Sequence, residues 1–277
     1  MEISPIKEHL GVEVTGVRAE QMGSADFAQH CQSLLDRHGV VVYREVFLDD
    51  DGLLALSRHL GEVVVTPTGE HRYPEIQTIT LDTGRTNPIL AAYRRGNFLW
   101  HFDGATDPLP QKGTLLSARE IADPGEGGTQ FASTYHAYET LSADDRRLID
   151  DLRVVHSFAT AQRRVTPDPT PDDLANWSRV PEREHPLVWK RRDGRRSLLL
   201  GATAGTVVGW SADESEALLQ RLLDHATRSE SVVHHDWRRG DLVIWDNTGM
   251  LHRAMPFSPT SPRLMHRTTL KGVEFVA

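Results

Sequence analysis

The sequence is poor in cysteine and in long apolar runs, and each shortage excludes a class of protein. Cys31 is the only cysteine among 277 residues, so neither an intrachain disulfide nor a zinc site of several thiolates can form. No uncharged apolar run approaches the roughly 20 residues that span a bilayer. The first residues also lack the basic and apolar regions of a signal peptide. We therefore expect a protein of a reducing compartment, the cytoplasm, without a membrane segment.

Net positive charge and phosphate-binding glycine motifs are lacking as well. The chain has 39 acidic and 31 basic residues, for a formal net charge of -8, which argues against a general nucleic-acid-binding surface. Neither G-x-x-x-x-G-K-[ST] nor G-x-G-x-x-G after a strand occurs. The hydrophobic share of 39% and the charged share of 25% are those of a globular protein. We expect one domain over residues 1–277.

Short apolar or alternating runs separated by turns predict a β-rich fold with a few helices. Ser24 and Gly39 mark the start and end of one predicted helix, and Ser211 with Glu214 forms a capping box before another. The turn "RRGD" predicts a β-hairpin between "SVVHHDW" and "LVIWDN". Further strands are predicted at "LGVEVTGV", "VVVY", "IQTITL", "KGTLLSAREI", "GGTQFAST" and "RLMHRTTLKG". These elements favour an α+β protein whose β-sandwich or barrel carries helices on its outside.

Two proline-rich segments, at about 65–97 and 160–186, interrupt this pattern. The first is predicted to be a mobile loop around one strand, and the second a long loop. Long loops in compact domains often form lids or binding loops. We expect both segments to cover the active site, with Thr66, His71, Arg94 and Arg95 as further residues that could reach it.

A histidine and an aspartate two residues apart suggest a metal site. In an extended strand the side chains of His101 and Asp103 would point to the same face and could converge on one ion. His234 and Asp236 have the same spacing, so the spacing alone does not choose between the two pairs. A further histidine, His252, follows a predicted strand and turn.

Two arginines follow His252 on the last predicted strand. Arg263 and Arg267 are four residues apart, so their guanidinium groups would share one face of that strand. Arginines that point into a β-barrel are costly unless anions meet them. Exposed surface arginines are the simpler interpretation from the residues alone.

The chain resembles a known enzyme family through several motifs in order. These motifs are "NFLWHFDG", "GGTQFA", "WDNTGMLHRA" and "PRLMHRTTL". Together they are similar to the taurine dioxygenase and 2,4-dichlorophenoxyacetate dioxygenase (TauD/TfdA) family of Fe(II)- and 2-oxoglutarate-dependent oxygenases. The likeness runs from "LGVEVTGV" to the last strand, and it implies a double-stranded β-helix, or jelly roll, with flanking helices.

The resemblance also implies roles for individual residues. His101, Asp103 and His252 match the ligands of Fe(II) in this family. Arg263 matches the arginine that pairs with the distal carboxylate of 2-oxoglutarate, and Thr129 matches the threonine that hydrogen-bonds the same group. The implied enzyme consumes O2 and 2-oxoglutarate and releases succinate and CO2.

Substrate contacts follow from the resemblance in the same way. Asn97 and Arg267 occupy positions where relatives often contact substrate, and Tyr93 lies close enough to line the entrance. The implied substrate is a small molecule with a carboxylate or sulfonate, and the implied assembly is a dimer or tetramer. The chain departs from the family at Gly128, where an acidic or other polar residue often precedes the threonine.

Two other functions remain open on the residues alone. Two histidines and an aspartate can hold zinc and activate water for hydrolysis. A barrel that binds an anion through arginines, with an idle metal site, would not be an enzyme at all. Metal analysis, oxygen dependence and the effect of metal on 2-oxoglutarate binding separate the three.

Overall fold

One large β-sheet and three small ones organise the chain, as seen in a computed structural model that describes residues 1–66 and 69–276. The strands are β1 (Glu2–Pro5), β2 (Val12–Thr15), β3 (Val40–Tyr43), β4 (Gln77–Ile79), β5 (Gly113–Glu120), β6 (Thr129–Ser133), β7 (Arg153–His156), β8 (Arg183–Pro186), β9 (Val188–Lys190), β10 (Arg196–Leu198), β11 (Ala204–Val207), β12 (Val232–His235), β13 (Leu242–Asp246), β14 (Met250–Ala254) and β15 (Leu264–Leu270). The large sheet has the order β1-β2-β3-β13-β5-β15-β4, and the small sheets are β12-β6-β14, β11-β7-β8 and β10-β9.

Helices cover the outer faces of these sheets. They are α1 (Ala19–Met22), α2 (Ala25–His38), α3 (Asp50–Leu60), α4 (Pro88–Tyr93), α5 (Thr134–Glu139), α6 (Ala143–Ile149), α7 (Phe158–Val165), α8 (Pro171–Trp177) and α9 (Ala212–Ala226), with 3-10 helices at Arg94–Phe98 and Ser229–Ser231. Among the described residues, none of them combines the length and apolar character needed to cross a membrane.

The alternation of side chains along the strands divides the interior into three layers. On β13, Leu242 and Ile244 pack with α2 and α3, whereas Val243 and Trp245 face the opposite way. That second layer lies between the large sheet and the β12-β6-β14 sheet. A third apolar cluster joins the far face of β6 and β14 to α5 and α9. The space between the two facing sheets is where the polar site described below is built.

The clearest predicted helices are confirmed. The hydroxyl of Ser24 accepts the N–H of Phe27 at the start of α2, and Gly39 ends the helix with φ +71°. Ser211 and Glu214 form the expected capping box of α9. These ends were predictable because capping depends on residues within one turn of the helix terminus.

The predicted hairpin between "SVVHHDW" and "LVIWDN" is wrong. β12 pairs with β6 in the small sheet, and β13 pairs with β3 and β5 in the large one. Residues 242–245 of β13 are all buried, so this strand has apolar neighbours on both faces and a partner at both edges. No edge of β13 is left for β12, and the turn at Gly240 instead carries the chain from one sheet to the other.

The two proline-rich segments contain more regular structure than predicted. The first holds β4, α4 and a 3-10 helix, and the second holds most of α7, all of α8 and β8. Asn87 caps α4 ahead of Pro88, and Thr170 caps α8 ahead of Pro171. The first N–H groups of a helix have no acceptor within the helix, so proline, which lacks an N–H, begins a helix at this position without losing a hydrogen bond.

Candidate active site

Two histidines are held side by side by one pair of backbone hydrogen bonds. The backbone of His101 bonds reciprocally with that of His252 on β14, with N–O distances of 3.0 and 2.8 Å. The ring centroids lie 4.2 Å apart. The extended stretch predicted at His101 is limited to this bridge, because the chain turns at Gly104. There φ is +79° and a Cβ would lie 2.7 Å from the backbone nitrogen of Gln111.

Asp103 completes a cluster that could hold a metal ion. One donor atom each from His101, Asp103 and His252 lies within 4.8 Å of the other two. Nε2 of His252 is 3.8 Å from Oδ2 of Asp103, and Nδ1 of His252 is buried without a hydrogen-bond partner among the described residues. Two imidazoles and one carboxylate form the donor set of non-haem Fe(II) oxygenases, which leaves metal positions open.

The surroundings favour the protonation states that a metal requires. Nδ1 of His101 lies 2.8 Å from the carbonyl oxygen of Leu99; donation there leaves the lone pair on Nε2. Burial lowers the pKa of both His101 and His252, which favours the neutral form of each ring. Burial alone would raise the pKa of Asp103, but the charge of Arg267 and the hydrogen bond from Thr114 hold it far below its usual value. The residues therefore fit a divalent ion.

A narrow cavity beside the cluster is lined by two arginines, Arg263 and Arg267, and we call it the arginine cavity. Its lining consists of Ile79, Asn97, His101, Leu116, Thr129, Trp245, His252, Ala254, Arg263 and Arg267. Arg263 is 2% exposed. Its Nε donates to the carbonyl oxygen of Gly127, its guanidinium covers the ring of Phe257, and no carboxylate among the described residues pairs with it. Burial lowers the pKa of Arg263 to about 10, which still leaves it a cation at neutral pH.

Thr129 and Arg267 add to the polar character of this cavity. The Thr129 oxygen accepts the indole N–H of Trp237 at 3.0 Å, so its own hydroxyl hydrogen is free to donate. Nη1 of Arg267 lies 3.5 Å from Oδ1 of Asp103, while its buried Nε has no hydrogen-bond partner in the described part of the chain. Both predicted arginines therefore reach the same cavity, and the surface interpretation of them is wrong.

A second cavity, of about 210 Å³, borders the cluster through His101 and Asp103, and we call it the amide cavity. It is lined by Tyr93, Gly96, Asn97, His101, Phe102, Asp103, Gly104, Ala105, Thr106, Phe158, Ala161, Gln162, Ala202 and Thr203. The side-chain amides of Asn97 and Gln162 are polar groups of this lining, and Gln162 is only 4% exposed. Tyr93 and Phe158 meet edge to face. No lysine or arginine of residues 1–66 and 69–276 lines this cavity.

The other residues considered from the sequence lie away from both cavities. Arg94 forms a buried ion pair with Glu70 at 2.8 Å, and Arg95 is exposed. Nε2 of His71 lies 3.1 Å from Asp50. Thr66 bonds through its backbone to Pro74. Sequence position alone did not separate these residues from Tyr93 and Asn97, which do line a cavity.

The second His-x-Asp pair forms an isolated surface contact. Nε2 of His234 lies 2.8 Å from Oδ1 of Asp236, and the Asp236 side chain is 81% exposed. The same histidine lies against the glycine that departs from the family pattern. A Cβ on Gly128 would lie 2.8 Å from Cε1 of His234, so glycine lets β12 lie close to the start of β6.

Several site residues were not predicted from the sequence. Gln162 lies in a stretch with no chemical signature, and only the packing of α7 brings it to the amide cavity. Trp245 and Asn247 belong to the quoted motif "WDNTGMLHRA", yet no role was assigned to them. Thr114 reads as an ordinary strand residue, although its hydroxyl donates to Oδ2 of Asp103 at 2.9 Å.

The sequence is similar to those of known dioxygenases. The profile of the family described as "Taurine catabolism dioxygenase TauD, TfdA family" matches residues 2–269. An alpha-ketoglutarate-dependent sulfate ester dioxygenase of Pseudomonas putida is 32% identical over 98% of this chain and 90% of its own. The alpha-ketoglutarate-dependent 2,4-dichlorophenoxyacetate dioxygenase of Cupriavidus pinatubonensis is also 32% identical, over 94% of this chain and 93% of its own.

A solved structure extends the likeness to the fold. AAD-2 in complex with Mn(II) and N-oxalylglycine superimposes with a TM-score of 0.84 at 27% identity and covers 100% of both chains. The family resemblance and the jelly-roll fold expected from the sequence are both confirmed. The chain belongs to the TauD/TfdA family of dioxygenases.

Proposed function

We propose that this chain is a dioxygenase dependent on Fe(II), 2-oxoglutarate and O2 that oxidises a small anionic organic molecule, most simply by hydroxylation, with release of succinate and CO2. The observation that carries the proposal is a buried arginine without a carboxylate among the described residues, Arg263, in a cavity that both histidines of the His-Asp-His cluster also line. A buried cation of this kind is costly unless an anionic ligand meets it.

His101, Asp103 and His252 would hold the iron, which when bound supplies the activation of O2 at its open positions. The chain itself contributes the orientation of these ligands. The carbonyl of Leu99 fixes the tautomer of His101, and the backbone bridge fixes the separation of the two rings. Asp103 supplies a negative charge that partly neutralises Arg267 next to it.

Arg263 and Thr129 would bind the distal carboxylate of 2-oxoglutarate. A guanidinium can donate two parallel hydrogen bonds to a carboxylate, and the free hydroxyl hydrogen of Thr129 can donate a third. The ring of Phe257 covers the guanidinium at 4.7 Å and helps to keep water away from it. The two ends of one keto acid would thus span the arginine cavity, from the metal cluster to Arg263.

The substrate would lie partly in the amide cavity and partly against Arg267. The two curated relatives described above are named for a sulfate ester and for 2,4-dichlorophenoxyacetate, both of them anionic. We assign the anionic group of the substrate to Arg267, whose Nε has no other partner. We assign its uncharged body to the amide cavity, bounded by the ring of Tyr93. Asn97 lines both cavities and would bridge the two parts.

The segments at about 65–97 and 160–186 would act as lids. Tyr93 comes from the first segment, and Ala161 and Gln162 come from the second, so the amide cavity has walls from both. A dimer or tetramer in the cytoplasm, without nucleic-acid or membrane partners, agrees with the family resemblance and with the net charge of -8.

Anaerobic addition of Fe(II) and 2-oxoglutarate is expected to give a weak visible charge-transfer band in the wild type and none in His101→Ala. A panel of carboxylates, sulfonates and sulfate esters is then screened for O2-dependent release of succinate. Bound zinc with O2-independent product would instead indicate a hydrolase. 2-Oxoglutarate binding that calorimetry finds equal with and without Mn(II) would indicate a non-catalytic anion-binding barrel.

Substitution of the buried amide tests the assignment of the amide cavity. For a substrate found in that screen, Gln162→Leu is expected to raise KM by about 5- to 30-fold, because a hydrogen bond to a buried group contributes about 1–2 kcal/mol. The KM for 2-oxoglutarate should stay unchanged. Gln220→Leu on the exposed face of α9 is the matched control. Equal substrate KM values for both variants would remove Gln162 from the substrate site.

A further inference from the structure

A chain of hydrogen bonds runs through the protein interior and ends on Asp103. The indole N–H of Trp245 donates to Oδ1 of Asn247 at 2.9 Å, and Nδ2 of Asn247 donates to the hydroxyl oxygen of Thr114 at 2.9 Å. The Thr114 hydroxyl in turn donates to Oδ2 of Asp103 at 2.9 Å. All four side chains are buried.

The chemistry of these groups fixes the direction of the chain. An indole nitrogen can only donate, so the carbonyl oxygen of the Asn247 amide must face it and the amide NH2 must face Thr114. With its oxygen accepting from Asn247, the Thr114 hydroxyl directs its single hydrogen at the carboxylate of Asp103. This carboxylate is therefore held in one orientation by a donor that has no competing acceptor among residues 1–66 and 69–276.

The hydrogen-bond chain begins on the inner strands of the large sheet. Thr114 on β5 and Trp245 on β13 are directly paired across two central strands of the large sheet. Trp245 also packs its ring against His252, with centroids 4.7 Å apart. One indole thus contacts one histidine of the cluster with its ring and reaches the carboxylate through its N–H.

We propose that Trp245, Asn247 and Thr114 are positioning residues that set the affinity of the cluster for its metal by holding Asp103, and through Trp245 also His252, in the binding arrangement. The inference rests on the proposed function only in taking His101, Asp103 and His252 as the metal ligands. Partners that orient metal ligands typically change metal affinity by 10- to 100-fold when they are lost.

Thr114→Val and Thr114→Ser separate this role from a general contribution to stability. Valine keeps the shape of threonine and removes the hydroxyl, whereas serine keeps the hydroxyl. Thr268→Val is the control, because Thr268 is a buried threonine of the adjacent strand β15 whose hydroxyl bonds Ser57 at 2.7 Å on the other face of the sheet. If only the loss of a buried hydrogen bond mattered, Thr114→Val and Thr268→Val would change the affinity for Mn(II) and the unfolding temperature alike.

The test is a Mn(II) titration of the full chain, followed by electron paramagnetic resonance of the free and bound ion, with the unfolding temperature of each metal-free variant measured beside it. We expect the dissociation constant for Mn(II) to rise 10- to 100-fold in Thr114→Val and to stay within threefold of the wild type in Thr114→Ser and Thr268→Val. Thr114→Val that binds Mn(II) as the wild type does, or that loses affinity only in parallel with Thr268→Val, would overturn the inference. A wild type that binds no Mn(II) would instead overturn the metal site and the inference with it.

Discussion

Replacement of Arg263 by methionine is expected to raise the dissociation constant for 2-oxoglutarate by about 30- to 5,000-fold without destabilising the protein. The loss of affinity corresponds to about 2–5 kcal/mol, the range for removing one partner of a buried charge pair. Arg263 is buried, and no carboxylate of the described residues neutralises it, so the distal carboxylate of the bound keto acid would have no other cation at that end of the cavity.

The effect on stability is expected to have the opposite sign. The pKa of Arg263 is lowered to about 10 in the folded protein, against an ordinary value of 12.5. A base with a lowered pKa destabilises the folded state at any pH below its folded pKa, and the cost disappears as the pH rises through 10 towards 12.5. The shift corresponds to about 3 kcal/mol at neutral pH. Methionine removes this cost and keeps much of the packing volume.

Isothermal calorimetry with Mn(II) and 2-oxoglutarate measures the affinity, and denaturant unfolding of the metal-free protein measures the stability. Arg253→Met is the matched control, because Arg253 follows His252 on β14 but bonds Gln130 and covers the ring of Trp100 instead of lining either cavity. Unchanged 2-oxoglutarate affinity in Arg263→Met would remove this residue from the cosubstrate site. A large loss of stability would show that the guanidinium has a structural role.

The sequence predicted local structure better than it predicted strand partners. The caps of α2 and α9 were predictable because they depend on residues within one helical turn. The partners of β12 were not, because they depend on which strand edges remain free once the whole sheet has assembled. The unbroken apolar run "LVIW" is typical of a strand that is buried on both faces, and such a strand lies inside a sheet with neighbours at both edges.

The candidate site also contains residues that the sequence predicted and residues that it did not. The metal cluster and the two arginines came from motifs, because the chemistry of each requires one residue type at one position. Gln162 could not be found, since glutamine at that point of α7 has meaning only once α7 packs over the cavity. The link from Thr114 to Asp103 was equally invisible, because it depends on the register of β5 against β13.

The position of the site between two facing sheets explains why so few residues can build it. His252 comes from the small sheet, whereas Thr114, Trp245 and Arg267 come from the large one. The alternation of side chains turns each of these residues towards the space between the sheets. His101 joins them through a single bridge, and the turn at Gly104 follows Asp103. A metal there would connect the two sheets.

Removal of the Asp103 carboxylate is expected to have the largest effect on metal binding. Asp103→Ala should weaken Mn(II) binding at least about 100-fold, since even the loss of an outer partner of a metal ligand costs 10- to 100-fold. The variant also leaves Arg267, whose Nη1 lies 3.5 Å from that carboxylate, as an unneutralised cation beside the site. Both the lost donor and the remaining positive charge oppose the binding of a divalent ion.

The pair His234 and Asp236, which has the same spacing in sequence as His101 and Asp103, provides a control. Asp236→Ala removes the carboxylate of an equally spaced His-x-Asp pair that is exposed and, in the described part of the chain, has no third donor near it. We expect Asp236→Ala to bind Mn(II) as the wild type does, in the same resonance titration and with circular dichroism to confirm folding. An equal loss of Mn(II) affinity in both variants, or no loss in Asp103→Ala, would contradict the metal centre. In either case the convergence of His101, Asp103 and His252 in space would not determine where the ion binds. The predicted difference between two chemically identical substitutions therefore tests the geometry of the site directly.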